Sequence, residues 1–170
     1  MRRAVGALLG CAALFVTGCS AAPDPEVTFY ADGDTTVAAP LIYCDEVLKE
    51  CGDENTPVNL DVRPGMPVQV SVPGNVADTP WVIIVQYLNT ETGEESVDQR
   101  AFTDGSRHAY TATPPTPQDR VAVVEVQQIG AAYGVDAQGN PIVDEHGQPQ
   151  LVTRGIWSLQ NSASPDLDRR

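Results

Sequence analysis

Apolar and polar residues alternate along most of this chain, and glycine or proline cuts the alternation every few residues. Val58, Leu60 and Val62 alternate with polar neighbours, as do Val68, Val70 and Val72 after the Arg63-Pro64-Gly65 turn. A period of two sends successive side chains to opposite faces of a strand, so each segment carries one face made for a core. Residues 81–88 (WVIIVQYL) are apolar on both faces for their first half, which suits a central strand beneath an opposing sheet. Residues 120–129 (RVAVVEVQQI) read as a second central strand. Residues 151–159 read as a last one, with Leu151, Trp157 and Leu159 expected on one face. Residues 27–30, 36–43, 96–102 and 108–112 supply further strands, and Pro114, Pro115 and Pro117 force an open crossing from the last of them to the 120–129 strand.

About seven to nine short strands with no long helix predict an all-β fold. The expected architecture is a two-sheet antiparallel sandwich of immunoglobulin or fibronectin-III type, with a closed barrel as the alternative. Neither central strand carries a cysteine, so the inter-sheet disulfide of true immunoglobulin domains is not expected. One short helical turn is predicted at residues 45–50.

The start of the chain sets the compartment. Arg2 and Arg3 precede an apolar run that ends in Val16-Thr17-Gly18-Cys19. A basic pair, an apolar stretch and small residues before a cysteine form a bacterial lipoprotein signal. The cysteine is needed because its sulfur takes the lipid, and cleavage then frees its amine for acylation. An ordinary secretory signal with a coincidental cysteine is the plainer alternative. The run falls short of the ~20 residues needed to cross a bilayer and is broken by Gly6, Gly10 and Gly18. The expected organisation is a signal over 1–18, a lipidated start and tether over 19–25, a sandwich over 26–160 and a flexible tail over 161–170. The chain would then lie outside the cytoplasmic membrane, held to its outer leaflet by lipid on Cys19.

Ten basic residues stand against 23 acidic ones, a net charge of −13, and loss of Arg2 and Arg3 with the signal takes it to −15. Such a surface repels phosphate backbones and anionic headgroups, so no nucleic-acid role is expected. Cys11 leaves with the signal and Cys19 carries lipid. Cys44 and Cys51 remain as an even pair in an oxidising compartment and are predicted to form a disulfide. Their C-x6-C spacing, with no histidine close by, argues against a redox or metal pair.

The chain also repeats itself. Val135-Asp136-Ala137-Gln138-Gly139-Asn140-Pro141-Ile142 is followed at once by Val143-Asp144-Glu145-His146-Gly147-Gln148-Pro149-Gln150. Each unit sets Asp three residues before Gly, then an amide and a proline. That is turn chemistry: Asp bonds backbone amides ahead of it, Gly accepts the left-handed conformation and Pro bars a helix. Plain turns are the simplest reading. A partner-binding loop built on Asp136, Asn140, Asp144, Glu145 and His146 is the functional one. Hard oxygen ligands at Asp136, Asn140, Asp144 and Glu145 would suit calcium, but the D-x-D-x-D-G loop with a distal Glu is absent.

Other chemistry finds little support. His108 and His146 are the only histidines and Met66 is the only methionine after the signal, so a zinc or copper site would need carboxylate help. No G-x-S-x-G occurs, and no cysteine is free of its expected role. Acidic pairs such as Asp53-Glu54 and Glu94-Glu95 read as solvated turns, and Trp81 and Trp157 as packing rather than sugar-stacking. No catalytic residue, cofactor or metal is assigned.

Four segments together carry a resemblance: Val16-Thr17-Gly18-Cys19, the Thr79-Pro80-Trp81 entry to the first central strand, the 120–128 strand after the proline-rich crossover, and Gly155-Ile156-Trp157. With them the chain resembles the actinobacterial secreted proteins and lipoproteins catalogued only as a domain of unknown function. The resemblance implies a mycolate-type envelope and supplies no activity. The expectation is a non-enzymatic, lipid-anchored module that binds another envelope component, a protein above all. The contrasting expectations are a carrier or sensor for a metal, glycan or lipid and, last, a carboxylate hydrolase.

Overall fold

The computed structural model describes residues 23–45, 48, 50–52, 55–136 and 138–163. Among the described residues eleven strands and one helical turn follow in order: β1 (Val27–Ala31), β2 (Asp34–Ala38), β3 (Ile42–Cys44), β4 (Cys51–Gly52), β5 (Val58–Leu60), β6 (Val68–Ser71), α1 (Gly74–Ala77), β7 (Trp81–Asn89), β8 (Glu95–Phe102), β9 (Ala109–Ala112), β10 (Asp119–Tyr133) and β11 (Leu151–Asn161). A four-stranded sheet has the order β2-β1-β6-β9. A seven-stranded sheet has the order β4-β3-β11-β10-β7-β8, with β5 added beside β11. All pairings are antiparallel except β5 with β11, which is parallel. This is the expected two-sheet sandwich, with more strands than the sequence suggested and longer central ones.

The period-two residues make the core. Val27, Phe29 and Ala31 of β1 and Val68 and Val70 of β6 face Trp81, Ile83 and Val85 of β7, Val124 and Val126 of β10, and Trp157 and Leu159 of β11. Both tryptophans are packing residues, each 0–1% exposed. In β10 the alternation slips once. Val121 pairs with Tyr87 and Val123 with Gln86, so Ala122 is an extra residue. This bulge lets Val121 and Val124, of opposite parity, both point inward.

Two expectations need correction, and one lies half outside the described residues. Leu151 is not a core residue: it is 51% exposed, because β10 and β11 continue past the end of the opposing sheet there. The described helix is Gly74–Ala77, after Pro73, which the sequence did not suggest, and half of the turn expected at 45–50 falls outside the described residues. Residues 46, 47 and 49 lie outside the described residues, and Leu48 between them sits at φ 55°. The last strand also reaches beyond 160. Asn161 is buried, its Nδ2 donating to the carbonyls of Val62 and Val121 and its Oδ1 accepting the Val62 N–H.

Candidate functional site

β10 pairs with β7 only as far as Gln128. Beyond it β10 and β11 run on as a two-stranded extension, Ile129 opposite Thr153 and Tyr133 opposite Leu151, with irregular register. The repeat closes this extension as two small hairpins. Val135 bridges Pro141 in the first, and Val143 bridges Pro149 in the second.

The hairpins are built alike. The Asp136 N–H donates to the Asn140 carbonyl and the Gly139 N–H to the Asp136 carbonyl; Asp144, Gln148 and Gly147 repeat the pair of bonds. Asp136 Oδ1 accepts the Gln138 and Asn140 amides at 2.9 and 2.8 Å. Asp144 Oδ1 accepts those of His146 and Gln148 at 2.8 and 2.9 Å. Gly139 and Gly147 take φ of 84° and 77°, a left-handed conformation that a Cβ would strain. The backbone N–H of Asn140, followed by its side-chain amide, holds the Asp136 carboxyl below its ordinary range.

Three residues eight apart tie the hairpins to each other. The Gly134 N–H donates to the Gln150 carbonyl, the Ile142 N–H to the Gly134 carbonyl, and the Gln150 N–H to the Ile142 carbonyl. The bonds form a closed ring, so the two hairpins and the strand ends are one unit. The repeat predicted the turns; nothing in it predicted the ring, which joins the residue before the first unit to the last residue of each unit.

Around this ring lies an apolar collar. Of the eight exposed large hydrophobic side chains among the described residues, five are Tyr133, Val135, Ile142, Val143 and Leu151, each between 44 and 58% exposed. Their concentration in one segment is what marks it, since scattered exposed apolar residues are ordinary. The tips beyond the collar are polar. Residues 133–151 contain Asp136, Asp144 and Glu145 and no lysine or arginine. His146 Nδ1 stands 4.0 Å from Asp144 Oδ2, an exposed and weak pairing.

The other sequence-predicted residues fall as follows. Cys44 and Cys51 are disulfide-bonded, S–S 2.00 Å, and face each other across β3 and β4. Leu48, within their loop, lies against Gly130 at the base of the extension, where an added Cβ would come within 3.1 Å of its side chain. Cys19 lies outside the described residues. Asp136 and Asp144 are spent on their own turns. No group of three or more His, Cys, Asp or Glu residues that could hold a metal occurs among the described residues. Among them, too, no helix is long and apolar enough to cross a membrane. The space between the sheets is filled by Phe29, Ile83, Trp81 and Trp157, all fully buried.

Fold and site together define a small all-β sandwich, stapled by one hairpin disulfide and carrying a double-hairpin extension at one end. Residues 20–162 match the family model described as "Protein of unknown function (DUF2771)", and the chain belongs to that family. It is similar to an uncharacterized protein of Mycobacterium tuberculosis, 27% identical over 138 residues, 80% of this chain and 76% of that one. A counterpart in Mycobacterium bovis matches to the same extent. No solved structure matches.

Proposed function

We propose that this protein is a cell-envelope lipoprotein, anchored by lipid on Cys19 to the outer leaflet of the cytoplasmic membrane, that works without catalysis as a protein-interaction module. The extension at 133–151 is its binding surface. One observation carries this reading: the exposed apolar residues gather on a segment whose backbone is fixed by paired Asp turns and a closed hydrogen-bond ring. A preformed apolar surface with a polar rim is the anatomy of a docking site, because little ordering entropy is lost on binding. A ligand held between the sheets fits less well, since large side chains already fill that space.

The test is crosslinking in cells from a photoreactive amino acid replacing Val143, beside a chain with 135–150 replaced by a short turn. A specific protein adduct, lost on Val135→Asp with Val143 kept as the crosslinking site, is the expected result. An adduct pattern that ignores Val135→Asp would remove the extension as the binding surface. The anchor is tested by Cys19→Ala, which should leave the protein unprocessed and without lipid mass.

A further inference from the structure

The N-terminal segment and the extension leave the sandwich at the same end. Pro25 is buried, and its carbonyl accepts the indole Nε1–H of Trp157 at 2.8 Å. From there β1 runs inward: Thr28 pairs with Ser71 at the end of β6, which leads through α1 into Trp81. Trp81 pairs with Gln128, the residue where the β10–β11 extension begins. The chain before Val27 therefore departs beside the base of the extension, and the 89–95 turn lies at the far end of β7. Only six residue steps carry the chain from Cys19 to Pro25, a reach of at most about 22 Å. The nine residues of β7 alone span roughly 30 Å.

We infer that residues 133–151 form the membrane-proximal end of the anchored protein and dock there on the extracytoplasmic face of a membrane-embedded protein whose contact surface is apolar and basic. The inference rests on the lipid anchor and interaction surface proposed above. A lipid headgroup layer is the poorer occupant. The apolar collar sits at the bases of the hairpins, while the tips that would meet the bilayer first carry Asp136, Asp144 and Glu145 without a lysine or arginine. Carboxylates are repelled by anionic headgroups and costly to insert. A protein surface can offer apolar contact to the collar and cationic side chains to the tips.

Two measurements test this with the full lipidated chain. In vesicles of phosphatidylglycerol and phosphatidylethanolamine with an acceptor dye at the lipid surface, a donor on Val143→Cys should transfer more energy than one on Thr92→Cys. Equal transfer, or more from position 92, overturns the orientation. In cells, the crosslinker at position 143 should label a protein that stays in the membrane through alkaline extraction. Inserting 20 Gly/Ser residues between Ala22 and Pro23 should cut that labelling by roughly tenfold, as effective concentration falls with tether length. Labelling of lipid alone makes the bilayer the occupant. Labelling of an extractable protein, indifferent to the insert, overturns the membrane-embedded partner and leaves the interaction module standing. No adduct at all, with the vesicle result as expected, removes the module and keeps the orientation.

Discussion

The indole Nε1–H of Trp157 donates to the carbonyl of Pro25 at 2.8 Å, joining residues 132 apart in sequence. Both partners are buried, so the bond satisfies a donor and an acceptor that would otherwise be stranded away from water. It fixes where the N-terminal segment leaves the core. Trp81 makes the comparable bond for the loop before β9, donating to the Arg107 carbonyl at 3.1 Å.

Trp157→Phe should destabilise the fold by about 2–4 kcal/mol, from the orphaned Pro25 carbonyl and the lost ring volume. Denaturant midpoints measure that. The specific consequence is faster proteolysis in the residues before Val27, which Trp81→Phe should not reproduce even where its global cost is similar. Equal protection in both variants would mean the bond does not hold the segment.

Gly155 makes room for two aromatic rings. A Cβ there would lie 2.6 Å from the Trp157 ring and 2.8 Å from that of Tyr43, whose centroids are 6.0 Å apart. Both rings are wedged: Trp157 by the core, and Tyr43 under the Arg154 guanidinium 5.1 Å from its centroid. Gly155→Ala should therefore cost about 1–3 kcal/mol. Gly52→Ala, with nothing within 4 Å of the new methyl, should stay within about 0.5 kcal/mol. Thermal unfolding of the two variants side by side checks the contrast.

Most of the inner face was legible in the sequence because burial in a strand follows a local period. Phe29, Val68, Val70, Trp81, Ile83, Val124 and Trp157 all lie where alternation puts them. The misses came from relations between distant segments. Leu151 keeps the period yet has no opposing sheet above it, and nothing in residues 151–159 says where that sheet stops. The bulge at Ala122 hides inside the run RVAVV, in which either parity looks apolar. The parallel pairing of β5 and the Trp157–Pro25 bond have no local signature at all. At the candidate site the Asp turns were legible residue by residue, and the ring of Gly134, Ile142 and Gln150 was not.

At the opposite end of the sandwich, Asp119 ties two turns together. Its Oδ1 accepts from Asn89 Nδ2 and its Oδ2 from the Thr116 N–H, each at 2.8 Å. Hydrogen bonding from Thr116 first, and from Asn89, holds its carboxyl below the ordinary 3.8, against the opposing effect of desolvation. A folded-state value lower than the unfolded one contributes stability above pH 3.8 that disappears as pH falls through the folded value. Asp119→Asn should accordingly lower Tm at pH 7, with the gap to the parent chain closing as pH drops below about 4. A gap that is constant from pH 7 to pH 2.5 would assign the loss to shape rather than charge.

The Cys44–Cys51 bridge closes a loop with a sequence separation of 7 and keeps Leu48 beside Gly130. Replacing both cysteines by serine should cost about 2–3 kcal/mol on the chain-entropy view. Because Leu48 rests at the base of the extension, the same variant should also speed amide exchange at Ile129 and Gly130. Loss of global stability without that local change would mean that the loop and the extension are independent.

The two hairpins should be separable from the core. Asp144→Ala removes the acceptor for the His146 and Gln148 amides, whereas Asp144→Asn keeps an oxygen in the same place. Hydrogen exchange at those two amides should rise about tenfold in the alanine variant, the equivalent of roughly 1.4 kcal/mol, and little in the asparagine one. Global Tm should move by no more than about 2 °C in either, because the turn touches no core residue. If the extension is the binding surface, crosslinking from position 143 should weaken in the alanine variant through lost shape. In the asparagine variant the shape remains, so any weakening there measures the charge that a basic partner reads. Equal crosslinking in the parent chain and both variants would show that neither the turn nor its charge takes part in binding.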